Sequence, residues 1–154
     1  MAQIRHIAFA AEHPGKTADF YKNAFGFREI SRFGLADNPE VAPYGSGVLL
    51  TDGHLNIAIL KFAKDQTGVG LDYVGFHHFG VVVDDPDAWT TRLEDLGAPN
   101  ITTAKDMPPT AHWEIKFRGP DGVVFDISHS VWPGAADVDP ETKKLPQPVK
   151  EAAE

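Results

Sequence analysis

From Ile4 to Ala10 apolar and polar or small residues alternate, with Ile7 and Phe9 as the bulky members, and this period of two predicts a strand. His13-Pro14-Gly15 breaks the pattern, and Ala18, Tyr21, Ala24 and Phe25 then recur at helical spacing over residues 16–25. Gly26 falls where a helix C-cap belongs, because glycine takes the left-handed conformation at no steric cost. Residues 27–33 predict a second strand, and a loop with Pro and Gly fills 37–47. Residues 47–50 and 55–62 predict a hairpin across Thr51-Asp52-Gly53-His54. The order of this first module is β-α-β-β-β.

After a Gly-rich connector over 64–75 the order starts again. A strand runs from Phe76 to Val83, and Asp85 and Pro86 suit the N-cap and first position of a helix whose apolar face is Ala88, Leu93 and Leu96. Strands near 101–104, over 112–117 and over 123–130 should follow, the last two joined by the turn Arg118-Gly119-Pro120-Asp121-Gly122. Phe20, Tyr21, Phe25 and Phe27 are expected in the core, whereas Trp89, Trp113 and Trp132 suit core or groove equally. Residues 133–154, rich in Pro, Lys, Glu and Ala, predict an extended or disordered arm.

The two halves echo each other. His6 and His78 occupy the same place in the first strand of each half, each eight positions before a proline, Pro14 and Pro86. Module one spans 1–63 and module two 76–132, together a single domain with a shared site. Alternation places His6 and Ala8 on one face of their strand, and His78, Gly80 and Val82 on the matching face of theirs. In the last strand Phe125 and Ile127 face the core, leaving Asp126 on the other side. His6, His78 and Asp126 then share one surface if the two sheets combine. Two imidazoles and a carboxylate form a facial set for Fe(II) that also suits Mn(II), Zn(II) or Ni(II). The competing reading pairs Asp126 with Arg5 or Arg118. His77, by alternation, faces away from His78 and is expected to be structural or solvent-facing. His112, Glu114 and Lys116 read as a solvated strand face; if that face lines a cavity, Glu114 is a general-base candidate and His112 a proton donor or orienting group.

Composition narrows the partners. The chain has 154 residues, 42% hydrophobic and 23% charged, as expected of a soluble globular domain. It carries 22 acidic against 14 basic residues and a net charge of −8, without a basic cluster, which disfavours nucleic acid and anionic membranes. The absence of cysteine excludes disulfide and thiolate chemistry. No apolar run is long enough to span a bilayer and no leader is evident, so a cytoplasmic protein without a membrane partner is expected.

The segments Arg5-His6-Ile7-Ala8-Phe9, residues 20–27, His77-His78-Phe79-Gly80-Val81-Val82-Val83, and Phe117-Arg118-Gly119-Pro120-Asp121-Gly122 leading to Phe125-Asp126-Ile127 resemble the vicinal oxygen chelate superfamily. That group includes glyoxalase I, extradiol dioxygenases, fosfomycin-resistance and bleomycin-resistance proteins, and methylmalonyl-CoA epimerase. The resemblance covers about Ile4 to Ser130. It implies an α+β fold in which two βαβββ modules form a curved, barrel-like mixed sheet around a central cavity. It also implies a divalent ion (Fe, Mn, Zn or Ni) held by His6, His78 and Asp126, where most metal-binding relatives carry Glu in place of the shorter Asp. A fourth ligand, as in glyoxalase I, would come from the last strand of module one, where Asn56 and Ala58 face the cavity. Three ligands leave room for a small substrate that chelates through two neighbouring oxygens. Within the family this favours an extradiol-type dioxygenase over a glyoxalase, with His112 and Tyr44 as its acid–base groups, and a lyase or isomerase close behind. The alternative is a metal-free, ligand-sequestering protein of the bleomycin-resistance kind. Either way a homodimer is expected.

Overall fold

The computed structural model describes residues 2–35, 45–102 and 114–130. Tyr44, His112, Trp113, Trp132 and the 133–154 arm lie outside the described residues. Module one contributes β1 (Ala2–Ala10), α1 (Pro14–Phe25), β2 (Arg28–Phe33), β3 (Gly45–Thr51) and β4 (Asn56–Phe62). Module two contributes β5 (Gly75–Val83), α2 (Pro86–Asp95), β6 (Ile115–Arg118) and β7 (Val124–Ser128).

Local chemistry sets the helix ends. Proline opens both helices, where a missing N–H costs nothing. The Asp85 carboxylate accepts the Ala88 N–H at 3.1 Å. Gly26, at φ +72°, closes α1 with its N–H donated to Lys22 O. Of the strand expected near 101–104, residues 103 and 104 lie outside the described residues; Asn100 bridges Phe117, and the Ile101 N–H is donated to Lys116 O.

The seven strands form one mixed sheet in the order β2-β3-β4-β1-β5-β7-β6. Within each module the first and last strands run parallel, β1 beside β4 and β5 beside β7. The modules meet along the antiparallel pair β1/β5 at the centre. On one face α1 covers Val48, Leu50 and Ile59 through Ala18 and Tyr21, and α2 reaches Val83, Phe117 and Ile127 through Trp89 and Leu93. On the opposite face Ala8, Ala58 and Leu60 pack with Phe33, Leu49 and Phe62. Some expected core positions are open instead: Leu96, Phe20 and Phe25 are exposed, as is Ala88. Trp89 takes the place of Ala88 and Leu96 because α2 meets the sheet through only one narrow stripe. No helix among the described residues is long and apolar enough to cross a membrane.

The β1/β5 ladder is interrupted twice. Ile4 pairs with Val81 and His6 with Gly80, so Arg5 is an extra residue on β1. Ala8 pairs with His78 and Phe9 with Phe76, so His77 is an extra residue on β5. Each bulge immediately precedes the repeated histidine. A bulge inserts one residue out of phase and re-aims its side chain. Arg5 and His6 are therefore both buried, and so are His77 and His78. The expectation that His77 faces away from His78 fails here, because strict alternation does not survive a bulge.

Candidate metal centre

One row of residues crosses four strands. His6 on β1 pairs with Gly80 on β5, Gly80 with Asp126 on β7, and Asp126 with Lys116 on β6. His78 enters from the next position on the same face, opposite Ala8. Gly80 lets His6 and Asp126 approach across the strand that separates them. A Cβ there would overlap the His6 ring at Cε1 and Nδ1 and lie 2.7 Å from Asp126 Oδ1.

The donor atoms converge. His6 Nε2 and His78 Nε2 are 3.1 Å apart, and Asp126 Oδ2 lies 3.1 Å from His78 Nε2 and 3.8 Å from His6 Nε2. All three residues are buried, and their ligand atoms fall within 4.8 Å of one another. Burial, the largest influence, pushes both imidazoles below their ordinary pKa, well below for His6. Both are therefore neutral at pH 7, which is the ligating form. Asp126 is held well below the carboxylate range: burial opposes this, but Lys116 and the two imidazoles outweigh it.

Two cations stand behind the carboxylate. Lys116 Nζ is 3.0 Å from Asp126 Oδ2, and Arg5 Nη2 is 3.3 Å from Oδ1. Burial lowers the Lys116 pKa, but the Asp126 and Glu114 carboxylates more than reverse that, leaving it raised. Glu114, at the rim with its side chain 21% exposed, binds Arg5 at 2.5 Å and Lys116 at 3.4 Å. Arg5 also donates to Ser130 O at 3.0 Å.

The donor set fits a divalent ion. Two donors each about 2.1 Å from a shared ion, subtending roughly 90–130°, lie about 3.0–3.8 Å apart, the range seen here. Charge adds a condition. Arg5 and Lys116 balance Glu114 and Asp126, so a dication would leave the buried cluster positive until an anionic group joins it.

A family model for the Glyoxalase/Bleomycin resistance protein/Dioxygenase superfamily matches residues 3–127. The chain belongs to this superfamily. Its fold is the vicinal oxygen chelate fold. A hypothetical protein from Bacillus halodurans C-125 is similar over 82% of this chain and 93% of its own, with a TM-score of 0.60 and 17% identity. A Streptomyces coelicolor methylmalonyl-CoA epimerase variant in complex with 2-nitronate-propionyl-CoA is similar over 81% and 94%, at 0.59 and 19%. The Mycobacterium tuberculosis methylmalonyl-CoA epimerase is similar over 81% and 85%, at 0.59 and 16%. These likenesses are likenesses of fold. No curated protein gives a significant sequence match.

Against the sequence expectations, the fold brings His6, His78 and Asp126 together and places Glu114 at their rim. Of the two arginines weighed as partners of Asp126, Arg5 pairs with it, whereas Arg118 donates to Thr67 O. Lys116, read as part of a solvated strand face, is buried against Asp126. The clue was the turn at 118–123, which pairs Arg118 with Val124 and so sets Lys116 opposite Asp126. The inward turn of His77 had no clue in the pattern. Asn56 and Ala58 are buried on the cavity side and add no carboxylate or imidazole.

Proposed function

We propose that this chain is a metal-dependent vicinal oxygen chelate enzyme whose small substrate presents two neighbouring oxygens. The reaction we favour is a proton transfer of the isomerase or lyase kind, with negative charge developing on those oxygens. The observation that supports this is the convergence of His6 Nε2, His78 Nε2 and Asp126 Oδ2 in front of two buried cations. A divalent ion held by those three residues would supply Lewis acidity to the substrate oxygens.

The chain's own residues do the rest. Lys116 and Arg5 fix the Asp126 carboxylate from both of its oxygens and, with Glu114, leave the cluster neutral. The positive charge that favours an oxyanion over a neutral carbonyl then comes with a bound dication. Glu114 is a part-exposed carboxylate beside the centre, and its two cationic partners hold it in one position. In this reading it takes the substrate proton. The extradiol alternative depends on His112 and Tyr44 and draws no support from the described residues. That relatives in fold include methylmalonyl-CoA epimerases is consistent with proton transfer.

One observation favours the metal-free, sequestering alternative. Lys116 sits on the same oxygen, Asp126 Oδ2, that would face an ion, and the cluster is already charge-balanced. Elemental analysis of the full chain beside a His6→Ala, His78→Ala double variant separates the two. Near-stoichiometric metal in the wild type, absent from the variant, together with deuterium uptake from D2O at the carbon next to a substrate carbonyl, is the expected result. No metal after exposure to Fe(II), Mn(II), Zn(II) and Ni(II) refutes it in favour of the binder. The homodimer is part of the same proposal and is read by sedimentation velocity.

A further inference from the structure

We infer that His77 is a positioning residue that, together with Thr67, sets which nitrogen of His78 carries its proton. This rests on reading the centre as ion-binding. Its basis is a chain of contacts that leads outward from the centre. His78 Nδ1 lies 2.7 Å from His77 Nδ1, and His77 Nε2 lies 3.3 Å from Thr67 Oγ1. The His77 ring stacks on Phe62 at 4.0 Å between centroids, which fixes its plane. The bulge that turns His77 inward makes this possible. On its far side His77 lines an open cavity of about 330 Å³ that also includes Lys61, Asp65 and Tyr73.

The proton pattern follows from what each atom can do. His78 Nε2 lies 3.1 Å from both Asp126 Oδ2 and His6 Nε2; the carboxylate only accepts, so without an ion the proton sits on His78 Nε2, and His6 Nε2 accepts. Nδ1 of neutral His78 is then an acceptor, and the 2.7 Å contact requires the proton on His77 Nδ1. Nε2 of His77 in turn accepts, and the Thr67 hydroxyl donates to it. When His78 gives its Nε2 lone pair to an ion, every member reverses. His78 Nδ1–H donates to His77 Nδ1, and His77 Nε2–H donates to Thr67 Oγ1. Both imidazoles stay neutral throughout. One proton leaves His78 Nε2 to solvent and one is taken up from solvent at His77 Nε2, so the pair holds two protons before and after. A ligating histidine is oriented by the partner of its other nitrogen, and loss of such a partner typically weakens ion binding by about 10–100-fold.

The test uses the full chain labelled with 15N-histidine, and long-range proton–nitrogen spectra with and without Zn(II). In the metal-free protein His77 should be the Nδ1–H tautomer, and saturating Zn(II) should convert it to Nε2–H. A metal-free His77 already in the Nε2–H form, or one that does not change as Zn(II) fills the site, overturns the inference. His77→Leu should weaken Zn(II) binding by about 10–100-fold. His77→Asn, whose side-chain oxygen can still accept at that place, should recover most of the loss, and equal loss in both variants refutes positioning. If the wild type binds no Zn(II), the metal reading fails by itself. The metal-free spectrum still decides the inference, because Thr67→Val should destabilise the Nδ1–H form of His77 and an unchanged tautomer overturns it.

Discussion

Replacing Gly80 by Ala probes the centre without touching any polar group. In a strand with open space, Gly→Ala stabilises by about 0.4–1 kcal/mol, because the unfolded chain has fewer conformations to lose. Gly80 lacks that space. The new Cβ overlaps the His6 ring and lies 2.7 Å from Asp126 Oδ1, and the strand that carries it is pinned between β1 and β7. Neither neighbour is the free end of a flexible chain: both side chains are fully buried. Overpacking of this kind costs about 1–3 kcal/mol, which outweighs the entropic gain. At about 2–4 °C per kcal/mol for a chain of this size, Gly80→Ala should melt roughly 2–10 °C below the wild type. Because His6 must move, Zn(II) affinity should fall as well. Gly15→Ala in α1, whose added Cβ meets only Leu35 Cδ1 at 3.5 Å, is the control and should not lower the melting temperature. Thermal unfolding by circular dichroism and a Zn(II) titration read both. A Gly80→Ala protein as stable as the wild type, with unchanged Zn(II) affinity, would refute the argument that His6 and Asp126 meet across this glycine.

Lys116→Met removes the ammonium that occupies Asp126 Oδ2, the oxygen an ion would use. Zn(II) should bind more tightly while the metal-free protein loses stability, and calorimetric titration showing weaker binding would sink the idea of competition. Asp126→Asn leaves Arg5 and Lys116 with Glu114 as their one remaining shared carboxylate and the buried cluster one charge positive, and breaking such a buried pair costs about 3–5 kcal/mol, measurable by denaturant unfolding. Acid should destabilise the metal-free protein in a defined window. Burial, then the neighbouring His78, pushes His77 down to about 3, and His6 and His78 shift in the same direction. Between the ordinary histidine value of about 6.5 and the lowered values the unfolded chain binds more protons, so stability falls as pH drops through that range. Melting temperatures that stay flat from pH 7 to 5 would contradict it.

How far the sequence reached can be read residue by residue. The repeat placed His6 and His78 at equivalent points, and alternation put Asp126 on their face, because a parallel β5/β7 ladder preserves the period of two. The caps at Gly26 and Asp85 were legible because each rests on one residue's own conformational or hydrogen-bonding preference. His77 was misplaced because a bulge adds one residue to one strand only, and nothing in the strand's own composition announces it. A lysine on a strand face is usually solvated; the burial of Lys116 depends on Asp126, which β7 brings opposite it, beside the local Glu114. Phe20 and Phe25 looked like core because helical spacing gives a face but not what that face meets.

The paired bulges have an electrical consequence. They are equivalent positions of a duplicated strand, yet one carries a guanidinium and the other a neutral ring. Around an approximate dyad the backbone is nearly symmetric while the potential is not. One side carries the ion pairs of Arg5 and Lys116 with Glu114 and Asp126; the other, made by His77 stacked on Phe62, is uncharged. A symmetric two-oxygen ligand beside them would have inequivalent ends, one facing a field of ion pairs and the other a neutral ring. Duplication thus supplied the frame, and divergence at a single bulge residue gave that frame a direction.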